Sequence, residues 1–309
     1  MSRNNILVKL SRSLIKFPFQ IFRPIEQLIL PRKSTKNIPI IIILSLPRSG
    51  STLTYQAIAH SFKVYYLSNL SHFIYKIPYI GYILTKNQTF KYNSDFKSNT
   101  GFVKGLLGPA EGFHFWKYWF RCTLSQDESL NNNSLKKREK LLIKLFGYIG
   151  KKSRPILTAY LGHLFCVEKL NAAFPNAVFI RIKRDPVDVI SSIMKRTPNE
   201  KEKVFSLKPA ELNTSRYFDK LSKVSAQVYH LNNKLESLNN NNIFDVNYRD
   251  LCDCPKKVLN DLKEFCEKRD ILLQNNNEIP DHFSGSTVSD PDIRNSIQFS
   301  FEAVSTSNR

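Results

Sequence analysis

Residues Ile40 to Phe62, IIIILSLPRSGSTLTYQAIAHSF, constrain the chain more than any other stretch. The run Ile40 to Leu44 is continuous and apolar but too short to cross a bilayer, the pattern of a strand buried on both faces of a parallel sheet. It breaks at Ser45-Leu46-Pro47-Arg48-Ser49-Gly50, and apolar residues return at Leu53, Ala57, Ile58 and Phe62, the spacing of one helix face. Strand, tight loop and helix in that order leave the first helical amides without intrahelical acceptors and aim the positive end of the helix dipole into the loop. A phosphate or sulfate fits such a loop. Gly50 lets the backbone approach it, Ser49, Ser51 and Thr52 offer hydroxyls, and Arg48 adds a planar cation.

The nucleotide-binding pattern G-x-x-x-x-G-K-[ST], aligned on Gly50, puts Ser45 at the first glycine, Ser51 at the lysine and Thr52 at the hydroxyl residue. Loss of the lysine that reaches the β- and γ-phosphates counts against a magnesium-dependent kinase or ATPase. It suits a nucleotide with a 5′-phosphate-like end.

A second strand, turn and helix is written in AVFIRIKRDPVDVISSIMKR, Ala177 to Arg196. Ala177 to Ile182 reads as a strand. Asp185 is a helix N-cap, Pro186 fits the first helical position and Asp188 falls in the first turn. Arg184 lies at the turn, and Ser192, two turns beyond Asp185, returns to the same face, so the pair can hold another phosphate. A capping ion pair at the helix start is the alternative reading.

Between and beyond these stretches, strands alternate with helices. A strand is expected at Pro155 to Leu161 and another at Ile243 to Asn247. Helices are expected from Ser134 to Ile149, Cys166 to Phe174, Phe218 to Leu238 and Pro255 to Phe265, and Asn131 to Asn133 form a linker. This pattern predicts a three-layer α/β/α fold with a central, mainly parallel sheet, P-loop-like in its first unit. Val64 to Lys97 reads as irregular. The expected organisation is a basic amphipathic N-terminal arm (1–37), one α/β domain (38–274) and a polar, loosely ordered C-terminal tail (275–309).

Glu111, in Gly108-Pro109-Ala110-Glu111-Gly112 beside the aromatic run Phe113 to Phe120, is a lone carboxylate among apolar bulk, the setting that raises a pKa and makes a usable base. The net charge of +20 predicts attraction to anions, whether a phosphorylated cofactor, an acidic glycan or an anionic membrane. The arm, with Leu7, Leu10, Leu14, Phe17 and Ile21 set among Arg3, Lys9, Arg12 and Lys16, reads first as a packed N-terminal helical arm and alternatively as a peripheral membrane contact, and no apolar run reaches the roughly 18 residues of a spanning helix. Five scattered cysteines form neither a disulfide framework nor a zinc pattern. Free thiols and a cytoplasmic, reducing setting are expected, with no metal site.

Taken together, Pro47-Arg48-Ser49-Gly50-Ser51-Thr52 after the first strand and Arg184-Asp185-Pro186-Val187-Asp188 with Ser192 eight residues on resemble sulfotransferases that use 3′-phosphoadenosine 5′-phosphosulfate (PAPS). Phe174-Pro175-Asn176-Ala177 and Tyr248-Arg249-Asp250-Leu251 are minor echoes, and the resemblance spans Ile38 to Phe265. It implies transfer of a sulfuryl group from PAPS to a hydroxyl or amine acceptor, with carbohydrate the class favoured by the family's breadth. It implies that Arg48, Ser49, Gly50, Ser51 and Thr52 hold the 5′ end and that Arg184 and Ser192 read the 3′-phosphate. Arg48 would steady the transferring group, and no metal or nucleic acid is implied. Many members carry Lys-x-Pro-x-His at the second strand, whereas Ala159-Tyr160-Leu161-Gly162-His163 keeps only the histidine. Glu111 and His163 therefore stand as candidate bases, Glu111 first. The rival readings are a P-loop-type kinase or ATPase and a non-catalytic binder of polyanions or membrane surfaces.

Overall fold

A computed structural model describes residues 17–31, 34–86, 92–98, 103–129, 136–150, 154–196, 205–217 and 219–307. The first 16 residues of the arm, the Asn131 to Asn133 linker, Ser134 and Phe218 lie outside the described residues.

The elements run α1 (Arg23–Ile29), β1 (Ile40–Leu44), α2 (Ser51–Ser61), β2 (Tyr65–Tyr66), α3 (Asn69–Phe73), α4 (Pro78–Thr85), α5 (Phe113–Phe120), α6 (Gln126–Ser129), α7 (Lys137–Ile149) and β3 (Ile156–Ala159). They continue with α8 (Val167–Ala173), β4 (Val178–Lys183), α9 (Pro186–Arg196), α10 (Lys220–Glu236), β5 (Ile243–Asn247), α11 (Tyr248–Asp253), α12 (Pro255–Glu267) and α13 (Pro291–Ser307). The five strands form one parallel sheet in the order β2-β3-β1-β4-β5. β1 lies at its centre because every residue from Ile40 to Leu44 is apolar and both faces of the strand are covered. Ile40, Ile42 and Leu44 point into a core with α4, α5, α7, α8, α9 and α10, while Ile41 and Ile43 point into a second core with α2, α11 and α12. The side chains alternate, so one strand joins two cores.

Register aims the loops. Leu44, the last residue of β1, pairs with Arg181, and β4 continues to Lys183 beside Asn247 of β5. β4 and β5 therefore overhang the loop after β1, and Arg184 emerges above it.

Two expectations are corrected. Val64 to Lys97 is not irregular throughout, because it holds β2, α3 and α4, elements of two to eight residues that are too short to show a period. The tail is not loosely ordered, because it carries the 17-residue helix α13, which buries Ile297 and Val304. The aromatic run is chiefly core, with Phe115, Trp116, Trp119 and Phe120 buried. Removing a methylene cluster from the joint between cores leaves a hole that backbone packed on both sides cannot close. Ile42→Ala should lower the unfolding free energy by about 3 kcal/mol, read as a lower urea midpoint at unchanged slope.

Candidate functional site

The loop after β1 is held open by two left-handed residues, Arg48 (φ 63°) and Gly50 (φ 101°). Ser49 turns its hydroxyl inward to donate to Leu46 O at 2.8 Å, and its amide donates to the same oxygen at 3.3 Å, so it closes the turn. The amide of Thr54 donates to Gly50 O at 3.0 Å as the first bond of α2. The amides before it face out of the helix end, with Ser51 and Thr52 in the first turn. Gly50 is required twice over. Its φ disfavours a side chain, and an added Cβ would lie 2.3 Å from the Tyr248 ring.

The second turn folds onto the first. Arg184 donates to Arg48 O at 2.8 Å and lies over the Tyr248 ring, 4.2 Å from its centroid. Arg48 Nε donates to Ser192 Oγ at 3.2 Å. Arg48, Arg184 and Ser192 are thus brought together at the carboxyl edge of β1 and β4, where connections leave in opposite directions, the usual place for a ligand crevice in an open α/β sheet. Burial, then Arg196 and Arg184, hold the Arg48 guanidinium below its ordinary pKa. Among the described residues neither Arg48 nor Arg184 has a carboxylate partner, and the buried Nε of Arg184 finds no acceptor.

The nearby carboxylates are engaged elsewhere. Asp185 Oδ1 caps α9 by accepting from Val187 N at 2.9 Å, and its other oxygen pairs with Arg294. Asp188 accepts from Val288 N at 2.8 Å and lies 3.7 Å from Arg294. The capping ion pair read from the sequence is present, at Asp185 with Arg294, while Ser192 bonds Arg48 and not Arg184.

Sequence reasoning missed three parts of the site. Arg294, set on α13, clamps the C-terminal segment to α9. Ser286 accepts from Arg184 through both its carbonyl and its hydroxyl, the latter at 3.0 Å. Tyr248 forms the floor under Arg184. A cleft of about 670 Å³ opens beside them, lined by Arg184, Tyr248, Arg249 and Arg294 and also by the carboxylates Asp185, Asp188 and Asp253. The polar turn Ser284-Gly285-Ser286-Thr287 was the available signal for this segment.

Glu111 stands on the other side of β1. The loop bearing it is tied to the exit of β2: Ala110 N donates to Leu67 O at 2.7 Å, the Asn69 amide donates to Val103 O and Gly105 O at 2.8 and 2.7 Å, and Tyr66 donates to Leu107 O at 2.9 Å. Gly112, at φ 75°, then starts α5 against Leu67. Burial pushes the Glu111 carboxyl up to about 7. Its charge is felt by Tyr55 on α2, whose phenol is raised first by its own burial. His163 is elsewhere. It is 0 % exposed, edge-on to Trp116 at 4.5 Å, and burial pushes its pKa down to about 3 against the opposing pull of the Ile43 backbone. Among the described residues no group of three or more His, Cys, Asp or Glu side chains is placed to hold a metal ion.

A family model described as the sulfotransferase family matches residues 39–269. The chain belongs to that family, and its parallel sheet with flanking helices is the P-loop-like fold of a sulfotransferase enzyme. No curated protein matches the sequence. Among solved structures, the chain is similar to sulfotransferase STF9 from Mycobacterium avium, at 14% identity and TM-score 0.49, covering 85% of this chain and 74% of that one. It is similar to STF1 from Mycobacterium tuberculosis H37Rv at 12% identity and TM-score 0.43, covering 95% and 82%. A sulfotransferase from Alicyclobacillus acidocaldarius shares 13% identity at TM-score 0.39, covering 86% and 92%.

Gly50→Ala should cost about 1–3 kcal/mol of stability from backbone strain and the Tyr248 clash. The combination with Tyr248→Ala should cost less than the two single changes summed, a coupling that thermal unfolding of the four proteins would measure.

Proposed function

We propose that this chain is a PAPS-dependent sulfotransferase whose donor lies along the β1–β4 edge and whose acceptor enters from the Glu111 side. The observation that carries the reading is the pair Arg48 and Arg184, two guanidiniums held together without a carboxylate, one with a buried nitrogen lacking an acceptor. Such a donor set fits an anion, and the cleft beside Arg184 has room for the rest of a nucleotide. PAPS, when bound, supplies the sulfuryl group that passes to the acceptor. Arg184 and Ser192 would read the 3′-phosphate. Arg48, with the amides of Gly50, Ser51 and Thr52, would hold the 5′ end and stabilise charge on the departing phosphate oxygen. Charge neutralisation falls to these groups and not to a metal ion.

Glu111 is the proposed base. A carboxyl with a pKa near 7 is largely ionised at slightly alkaline pH and is basic enough to take the proton of an acceptor hydroxyl or amine. His163 is sealed in the core with its proton affinity depressed, so we assign it to packing. The acceptor is proposed to be a carbohydrate, for which half-buried Phe113, two residues from Glu111, offers a ring to stack on. With all five cysteines free, the proposed setting is cytoplasmic. The N-terminal segment is proposed to make peripheral membrane contact.

Calorimetric binding of 3′,5′-adenosine bisphosphate against ADP, with and without magnesium, tests the donor site. The bisphosphate should bind more tightly and without metal, and Arg184→Ala should lose about 2 kcal/mol, a factor of about 30. Equal binding, or a preference for magnesium-ADP, would favour the kinase or ATPase reading.

For the base, kcat/KM should rise with pH through about 7 as Glu111 ionises. Glu111→Gln should lower turnover about 10²-fold or more and remove that limb. Because the folded pKa lies above the ordinary carboxyl value of 4.5, the folded state holds this proton more tightly than the unfolded state does. The Glu111 contribution to stability is therefore present below about 4.5 and is lost as pH rises through 7, so Glu111→Gln should be the more stable protein at pH 8, by roughly 3 kcal/mol. His163→Ala should instead lose stability and keep the pH limb. The opposite pattern in the two variants would reverse the assignment.

A further inference from the structure

α1 is attached to the body by its polar side. Glu26 is buried and accepts from the amides of Tyr79 and Ile80 at 2.6 and 3.3 Å, capping the first turn of α4. Arg23 lies over Trp119 at 5.0 Å and donates to Tyr118 at 3.5 Å. Its apolar side chains face outward: Leu28 is 86 % exposed, with Ile25 and Ile29 also exposed, and in the segment just before the helix Ile21 is 59 % exposed and Phe17 is exposed too. On α4, the helix that Glu26 caps, Ile83 and Leu84 are exposed as well. A surface helix normally does the reverse, burying its apolar stripe and wetting its charges. Exposed large apolar side chains concentrated in this way mark a contact surface.

The surrounding charge selects the occupant. The only carboxylates of α1, α4, α5 and α7 are Glu26 and Glu139, and both are buried. Glu139 is consumed by Arg121 at 2.9 Å and by Lys169. The outer surface of these four helices therefore carries cations and no carboxylate, among them Lys117, Lys137, Arg138, Lys140 and Lys144, and exposed Asp127 on α6 is paired with Lys208 at 3.5 Å. These helices adjoin one another, since Tyr118 lies between Arg23 and Arg138 and Thr35 N donates to Gly147 O at 2.9 Å.

We propose that this face, the outer side of α1 with the exposed residues of α4, seats the protein on an anionic lipid surface. The apolar side chains enter the interface and the ring of cations meets the headgroups. A second copy is the poorer occupant, because two such faces would bring like charges together on chains of net charge +20. Donor binding and transfer play no part in this inference.

Co-sedimentation of the full chain with phosphatidylcholine vesicles, and with phosphatidylcholine–phosphatidylglycerol vesicles, tests it. Strong binding is expected only to the mixed vesicles and should weaken as salt is raised. Ile25→Ser with Leu28→Ser should reduce the partition coefficient about tenfold or more, with circular dichroism and thermal midpoint unchanged because both side chains are exposed. Lys140→Glu with Lys144→Glu should reduce it independently. Absence of binding to mixed vesicles at low salt, or serine variants that bind as wild type does, would overturn the proposal. So would a concentration-dependent dimer abolished by the serine changes, which would show that a second copy covers the face.

Discussion

The contact between Arg184 and the backbone of Arg48 organises this molecule's chemistry. It joins the loop after β1 to the turn after β4 and brings two like charges together in a partly dry place. Like charges repel more strongly as water is excluded, so the arrangement persists only because other groups enforce it. Tyr248 supports the Arg184 plane, Ser192 takes the Arg48 Nε, and Ser286 takes the far side of Arg184. Each of these partners is neutral. The positive charge they position meets no carboxylate partner among the described residues, and this separates the pair from an internal salt bridge.

The contrast with Glu139 makes the distinction concrete. That carboxylate is also buried, but Arg121, Lys169 and the Lys136 amide surround it, and their combined effect outweighs burial and holds its pKa below the usual value. It is a closed network, complete within the chain, of the kind that is costly to break and that binds nothing further. Arg48 and Arg184 form the open counterpart.

Much of this was legible in the sequence, and the reason is local. A continuous apolar run ending in Pro-Arg-Ser-Gly, or a strand ending in Arg-Asp-Pro, encodes its own geometry through strand burial, capping and the φ of one glycine, so β1, β5 and the starts of α2 and α9 could be read residue by residue. What could not be read depends on partners distant in the chain. Arg294 carries no local signal because its carboxylates lie more than one hundred residues upstream. Tyr248 looked like a family echo until the Gly50 backbone was seen against its ring. β2, with two residues, carries no period of its own and exists because Pro155 and β3 offer it hydrogen bonds. The outward apolar side of α1 was readable only as amphipathic composition. Which side would face the body was decided by Glu26 reaching the amides of a helix more than fifty residues later.

The sheet order also explains how one chain of net charge +20 keeps a carboxyl with a pKa near 7. A cation close to Glu111 would pull its pKa down and leave a weak base. Arg48, Arg184 and Arg196 collect over β1 and β4, whereas Glu111 hangs from the exit of β2, with β3 between β2 and β1. The shift at Glu111 consequently has burial as its cause, with no arginine opposing it. Had the strand after β1 been placed on the β4 side, the loop tied to Leu67 and Asn69 would have carried Glu111 toward the arginines, and the pair would have closed into a salt bridge. The crossover that sends the chain to the far edge of the sheet before β3 fills the gap keeps the acid and the cations apart on either side of one loop, where each stays available to a ligand.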